Sequence, residues 1–510
     1  MRLGRLLRRS RPALEDVPGP VIARRPNLMF TAYRELSEGG FADRRTVRQG
    51  QTIRFHIADA LDRFDALVLQ VVGPPGTRRF ARTVKVVRGL RATSPEWGCL
   101  PDEGCDWAET CALDVPTRWP PGWYRLAFPV RYSDTLRYVD FVVAESEPKA
   151  ELLFIFDVQT AQAYNVYGGG SFYGMIDETG AWSSQQQLHT LSFRRPMVRS
   201  HTYAIRAPRI SPPVWIPHEE EAFRLWLASR FRVSYLSNDE LETIDPGYLE
   251  RYPVIVIVGQ QEYWSNQQLE RIRQYVTGGG SLFLSAIEFA YAAIRYDPIR
   301  DTMTYYYDPR DDPILSREPG AVATVRCAVS DPEDFFGVSL EVGKGLGISD
   351  EFSPLRVVAP NHWAFADLGF RSGEVLASVR GLGVGAWIER SDQGDYAIAS
   401  SRLKAEQVQV LAVAEYPPLT PRAWGQPEHS HENFNHTLTD FLADGSVDHT
   451  SQLIPERTFA VVAMVRQGKG TMFVGPGGWM NSPHPHNTDP RVPLILDRVI
   501  RRLVAGAPFE

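Results

Sequence analysis

The sequence has little cysteine: Cys99, Cys105, Cys111 and Cys327 are its four in 510 residues. Their spacing matches no zinc motif, which excludes a structural zinc domain. The first three lie in an acidic stretch, GCLPDEGCDWAETC, where a local disulfide and a simple loop can both be written. Long hydrophobic runs are also missing, and no uninterrupted apolar stretch reaches transmembrane length. An excess of positive charge is absent: the formal net charge is −6, which argues against non-specific nucleic-acid binding over the whole surface. The one basic patch, MRLGRLLRRSRP at residues 1–12, lacks the apolar core of a secretory signal and is too short to span a bilayer, so it reads as a frayed basic terminus. These absences make a cytoplasmic protein the default expectation, with neither nucleic acid nor membrane as partner.

What is present is an ordinary globular composition, 43% hydrophobic and 23% charged, without the low complexity of a disordered chain. The length exceeds what one core supports, so more than one domain is expected. Residues 1–27 form the basic arm. Residues 28–148 read as an all-β module: TIRFHI alternates Ile53, Phe55 and Ile57 with Arg54 and His56, GWYRLAF alternates Tyr124, Leu126 and Phe128 with Arg125 and Ala127, and YVDFVV sets Val139, Phe141 and Val143 on one face. Period-two alternation predicts one buried and one wet face, as in an antiparallel, immunoglobulin-like sandwich.

Residues 149–510 change grammar. LLFIF at 152–156 and VIVIV at 254–258 are continuous apolar runs, as expected of central parallel strands. Between them HEEEAFRLWLASR places Phe223, Trp226 and Leu227 on one helical stripe, and FRVSYL follows as a strand. A second helix has Leu269, Ile272, Tyr275 and Val276 as its stripe, with Ser265 and Gln268 spaced as a capping box. Glycines 278–280 end it before SLFLSA, and DPRVPLILDRVIRRLV closes the chain as a helix. Alternating strands and helices predict a doubly wound α/β sheet, with insertions beyond residue 300.

In such sheets ligands bind beyond the carboxyl ends of the strands. Gln260, Glu262 and Tyr263 stand at one end, and DVQTAQAYNVYGGGSFYG follows the other. If the two strands are neighbours, Tyr164 or Tyr167 meets Glu262 across the crevice. Tyrosine and glutamate are hard oxygen donors that, with a third ligand, hold a hard metal such as ferric iron, or act as a polar pair without one. The competing reading is that they only satisfy backbone groups at strand ends. His429, His431, His436, His484 and His486 lie in proline- and asparagine-rich stretches and read as solvated surface. A thiol amidotransferase mechanism is excluded, since none of the cysteines sits at a strand-to-helix turn, and Ser285 lacks the glycine-flanked elbow of a hydrolase serine.

Taken together, RWPPGWYRLAF, AQAYNVYGGGSFY, LSFRRP, EEEAFRLWLASRFRVSYLSNDEL and VIVIVGQQEYWS leading to GGGSLFLSA resemble, in order and spacing, the large-subunit family of N,N-dimethylformamidase. The resemblance implies a small β-sandwich followed by a domain like those of class I glutamine amidotransferases. It also implies iron held by a tyrosine, a histidine and a glutamate, and hydrolysis of a small amide to acid and amine. Carried over, the tyrosine falls on Tyr164, the glutamate on Glu262, and the histidine position holds Gln260, an amide with a weaker, neutral donor. His189, His201 and His218 are the histidines that could compensate. Glu389 corresponds to a second family acid; Glu288 follows Ala286-Ile287, where the family carries a glycine-asparagine pair, and either acid would move the proton to the leaving amine. A homo-oligomer, with a small partner subunit as the resemblance adds, is the expected assembly. The alternative expectation is an inactive homologue acting as a small-molecule-binding or scaffold protein.

Overall fold

The computed structural model describes, apart from short gaps, residues 38–72, 81–176, 182–197, 218–314, 335–336, 352–380, 388–416, 458–477 and 489–509. Its N-terminal part is a β-sandwich. Strands Gly39–Ala42, Thr52–Ala58 and Cys111–Asp114 make one sheet; Thr46–Arg48, Ser133–Ala144, Gly122–Val130, Arg63–Val71 and Ala81–Arg91 make the other. The alternating residues meet in one core, where Ile53, Phe55 and Ile57 face Leu126, Phe128, Val139, Phe141 and Val143.

The expected wet face of GWYRLAF is not wet. Trp123, Arg125 and Ala127 are buried as deeply as the residues between them. Trp123 packs edge-on against Phe156 at 5.6 Å and carries the Arg125 guanidinium over its ring at 4.3 Å, so the second part of the chain covers that side. Arg45, at the edge of the sandwich, pairs with Asp239 and Asp301 and donates to the Tyr296 hydroxyl over 2.8 Å, which ties the two parts together.

The second part is built on a nine-stranded sheet in the order Val233–Ser237, Leu152–Phe156, Val254–Gln260, Ser281–Ile287, Gly470–Val474, Thr458–Gln467, Val408–Tyr416, Phe352–Val357, Val375–Arg380. The first five run parallel and the rest pair antiparallel. The sheet is therefore mixed, and the expectation of a doubly wound sheet stands only at the coarser level of a β-rich mixed sheet with a few helices against it. Apolar runs on both faces explain the parallel half: Leu152 and Phe154 join helix His218–Ala228 and helix Val492–Val504 in one core, while Leu153 and Ile155 join Leu269, Ile272, Tyr275 and Val276 of helix Asn266–Gly278 in the other. The capping box at Ser265 and Gln268 is present as expected. Tyr263–Ser265 is itself a short strand, parallel to Ala292–Asp297, in a separate four-stranded sheet standing over the strand ends. No helix among the described residues is long and apolar enough to cross a membrane.

Candidate functional site

Two neighbouring parallel strands deliver the site. Leu152–Phe156 and Val254–Gln260 pair with Ile155 opposite Ile257, so the segments leaving their carboxyl ends emerge side by side. Gly259 takes φ 85°, a conformation that glycine adopts without steric cost, just before the polar residues begin.

Beyond Phe156, Asp157 Oδ1 accepts from the Gln159 and Thr160 amides at 3.0 Å each and from Asn238 Nδ2 at 2.9 Å. Burial pushes the Asp157 carboxyl up to about 7, against these hydrogen bonds, which hold it down. The short helix Gln159–Ala163 that starts here ends at Tyr164, four residues after Thr160 and so on the same face. Thr160 Oγ1 accepts from the Glu262 amide at 2.9 Å and from the Tyr263 amide at 3.2 Å. One hydroxyl thus fixes the backbone that presents the glutamate.

Glu262 is the centre of the arrangement, with 2% of its surface exposed. Tyr164 donates to its Oε2 over 2.8 Å, and Gln260 Nε2 donates to the same oxygen over 3.3 Å. Tyr173 donates to the other oxygen, Oε1, over 3.3 Å and shares a 2.8 Å hydrogen bond with the Tyr263 hydroxyl. The rings of Tyr164 and Tyr173 stack with centroids 4.2 Å apart. A carboxylate taken out of water is costly unless donors surround it; here two phenols and an amide do so.

The loop that carries the two tyrosines is held from below by Arg195. Its guanidinium donates to the carbonyls of Gln162 (3.0 Å), Tyr167 (2.8 Å), Gly170 (3.0 Å) and Ser192 (2.9 Å). Burial draws its pKa down to about 9, with Asp102 opposing, so it stays charged at neutral pH. A disulfide joins Cys99 and Cys105, and Cys111 is free. The loop it closes presses on Gly168, where an added Cβ would meet Pro101 N at 2.9 Å.

Of the residues expected from sequence, Tyr164, Gln260 and Glu262 come together. Tyr167 does not join them: it is buried with Phe41, Trp107 and the disulfide, edge-on to Trp107 at 6.0 Å. His189 turns its Nδ1 to the Tyr305 carbonyl at 3.2 Å and stacks on Tyr306. Glu389 lies in strand Ile388–Arg390, opposite Ala397, and its side chain is outside the described residues. The same holds for the side chain of His218, and for Glu288, His201, Cys327, His429, His431, His436, His484 and His486 altogether. Ser285 donates to the Pro476 carbonyl over 2.7 Å. Sequence reasoning missed Tyr173, Thr160 and Arg195.

The family described as N,N-dimethylformamidase beta subunit-like, C-terminal, matches residues 90–454. The chain belongs to this family. The match begins inside the sandwich and ends before strands Thr458–Gln467 and Gly470–Val474 of the large sheet, so it takes in Tyr164, Tyr173, Gln260 and Glu262. Comparison with the curated proteins finds none that matches.

Iron is the metal that the resemblance implies. No group of three or more His, Cys, Asp or Glu side chains that could hold a metal occurs among the described residues. Two phenol oxygens and one carboxylate nevertheless converge at Glu262, and three hard oxygen donors suit a hard cation such as iron. The set fits without imidazole.

Proposed function

We propose that this dimethylformamidase-like chain is an amide hydrolase that cleaves the C–N bond of a small amide at Glu262, using iron held by Tyr164, Tyr173 and Glu262, with Gln260 beside them. The observation that carries this reading is the meeting of both tyrosine hydroxyls on one buried carboxylate at the end of a parallel strand. The parallel half of the sheet, with helices against both faces, supports the finer reading of a glutamine amidotransferase-like domain. Iron bound there would polarise the amide carbonyl and lower the pKa of water. Glu262 would supply negative charge, and the stacked tyrosines would fix its orientation. Gln260 donates to Glu262 Oε2 and would help to orient the carboxylate. Glu389 or Glu288 would carry the proton to the leaving amine.

A second reading draws on Gln260 itself. An amide where the family's resemblance places imidazole weakens metal affinity, and the chain would then be a non-catalytic binder of a polar small molecule in the same crevice. Amine release from small amides separates the two. The first reading expects release by the iron-supplemented protein and its loss in Glu262→Gln; release that persists undiminished in Glu262→Gln refutes it.

A further inference from the structure

Gln159 and Gln261 stand one residue before Thr160 and Glu262. The Thr160 hydroxyl accepts from the Glu262 amide over 2.9 Å, which brings the segments that carry Gln159 and Gln261 together. Both glutamines are fully buried, at 0% exposure. Gln159 Nε2, Gln159 Oε1 and Gln261 Oε1 have no hydrogen-bond partner, whereas Gln261 Nε2 donates to the Val258 carbonyl over 3.0 Å. Buried polar atoms in folded proteins are nearly always paired. One amide group and two carbonyl acceptors left unmet, next in sequence to the hydrogen-bonded Thr160 and Glu262, call for an occupant.

The unmet groups define its chemistry. A primary carboxamide carries one carbonyl acceptor and two N–H donors, the complement of this set. An N,N-dialkyl amide offers the acceptor alone and would leave both glutamine oxygens unpaired. A carboxylate would bring negative charge against the same oxygens. Resting on the amide-hydrolase reading above, we propose that Gln159 and Gln261 recognise the substrate's amide group and that the chain acts on primary carboxamides in preference to N,N-dialkyl amides. Buried groups placed to pair an N–H reject the analogue that lacks it far more strongly than an apolar pocket discriminates size.

The test compares formamide, N-methylformamide and N,N-dimethylformamide on the full-length, iron-supplemented protein, with binding of each followed by ligand-detected NMR. The expected result is a kcat/KM for formamide about tenfold or more above that for N,N-dimethylformamide. The ratio should fall toward one in Gln159→Met and, as a second variant in case the first does not fold, in Gln261→Met. A ratio near one in the wild type, or one that neither substitution changes, overturns the proposal. If no amide is hydrolysed, the hydrolase reading fails by itself, and binding decides the recognition. Formamide binding that exceeds N,N-dimethylformamide binding and weakens in either variant supports it; equal binding, insensitive to both variants, leaves ordered water as the glutamines' partner and overturns it.

Discussion

The Tyr164 hydroxyl donates to Glu262 Oε2 over 2.8 Å although 98 residues separate the two in sequence. Three features bring them together: the parallel pairing of strands Leu152–Phe156 and Val254–Gln260, the Thr160 hydroxyl that accepts both the Glu262 and Tyr263 amides, and the Arg195 guanidinium under the tyrosine loop. Each can be perturbed separately.

Thr160→Val keeps the shape of the side chain and deletes the acceptor. Two buried amides lose their partner, at an expected cost of about 1–3 kcal/mol in stability. Urea unfolding of the variant beside the wild type measures it. An unchanged midpoint would mean that the Glu262 and Tyr263 amides do not depend on this hydroxyl.

Arg195→Met leaves four carbonyls facing an apolar side chain. The expected loss is roughly 3 kcal/mol or more, with a change in the near-ultraviolet circular dichroism of the stacked Tyr164–Tyr173 pair. A stable variant with native tyrosine signal would show that the loop holds its shape without the guanidinium.

Stability should fall as pH rises from weakly acidic to weakly basic. Burial, with the Glu38 carboxyl adding to it, pushes Asp59 up to about 8. Burial likewise pushes Asp157 and Glu240 up to about 7. A raised carboxyl binds its proton more tightly in the folded state, so its stabilising contribution is complete below the ordinary value and is lost as pH climbs through the folded one. Unfolding at about pH 5 and about pH 8 should show the decline, and Asp59→Asn, which imitates the protonated acid, should shrink it. Equal slopes in wild type and variant would contradict the assignment.

Reduction of the Cys99–Cys105 disulfide, or its removal by Cys99→Ser, should cost about 2 kcal/mol, as expected for a short closed loop. Cys111→Ser should be close to neutral. Burial raises the Cys111 thiol to about 11, so it stays protonated and unreactive at neutral pH. Thermal unfolding with and without reductant checks both statements; a midpoint that reductant does not move contradicts the first.

The parallel strands were legible because a strand covered on both faces must be apolar throughout, as Leu152–Phe156 and Val254–Gln260 are. The Ser265–Gln268 capping box was legible because it is local. Three features were not. The dry second face of Gly122–Val130 depends on Phe156, Arg224 and Tyr138 reaching Trp123 and Arg125, and alternation within one strand carries no trace of a tertiary cover. The antiparallel half of the large sheet is assembled from Phe352–Val357, Val375–Arg380, Val408–Tyr416 and Thr458–Gln467, short runs whose order only long-range pairing decides. Tyr173 is one aromatic residue among several in a glycine-rich stretch; its place on Glu262 depends on the loop that Arg195 holds. The spacing also left Tyr164 and Tyr167 as equal contenders, and packing against the disulfide removed Tyr167.

The iron content of the purified protein tests the central claim most directly. Elemental analysis should find about one iron per chain in the wild type, as expected for a single set of hard oxygen donors, with a visible tyrosinate-to-iron charge-transfer band that weakens in Tyr173→Phe and disappears with the metal in Glu262→Gln. A wild type that stays metal-free in the presence of iron, beside a Gln260→His variant that gains it, would contradict the account.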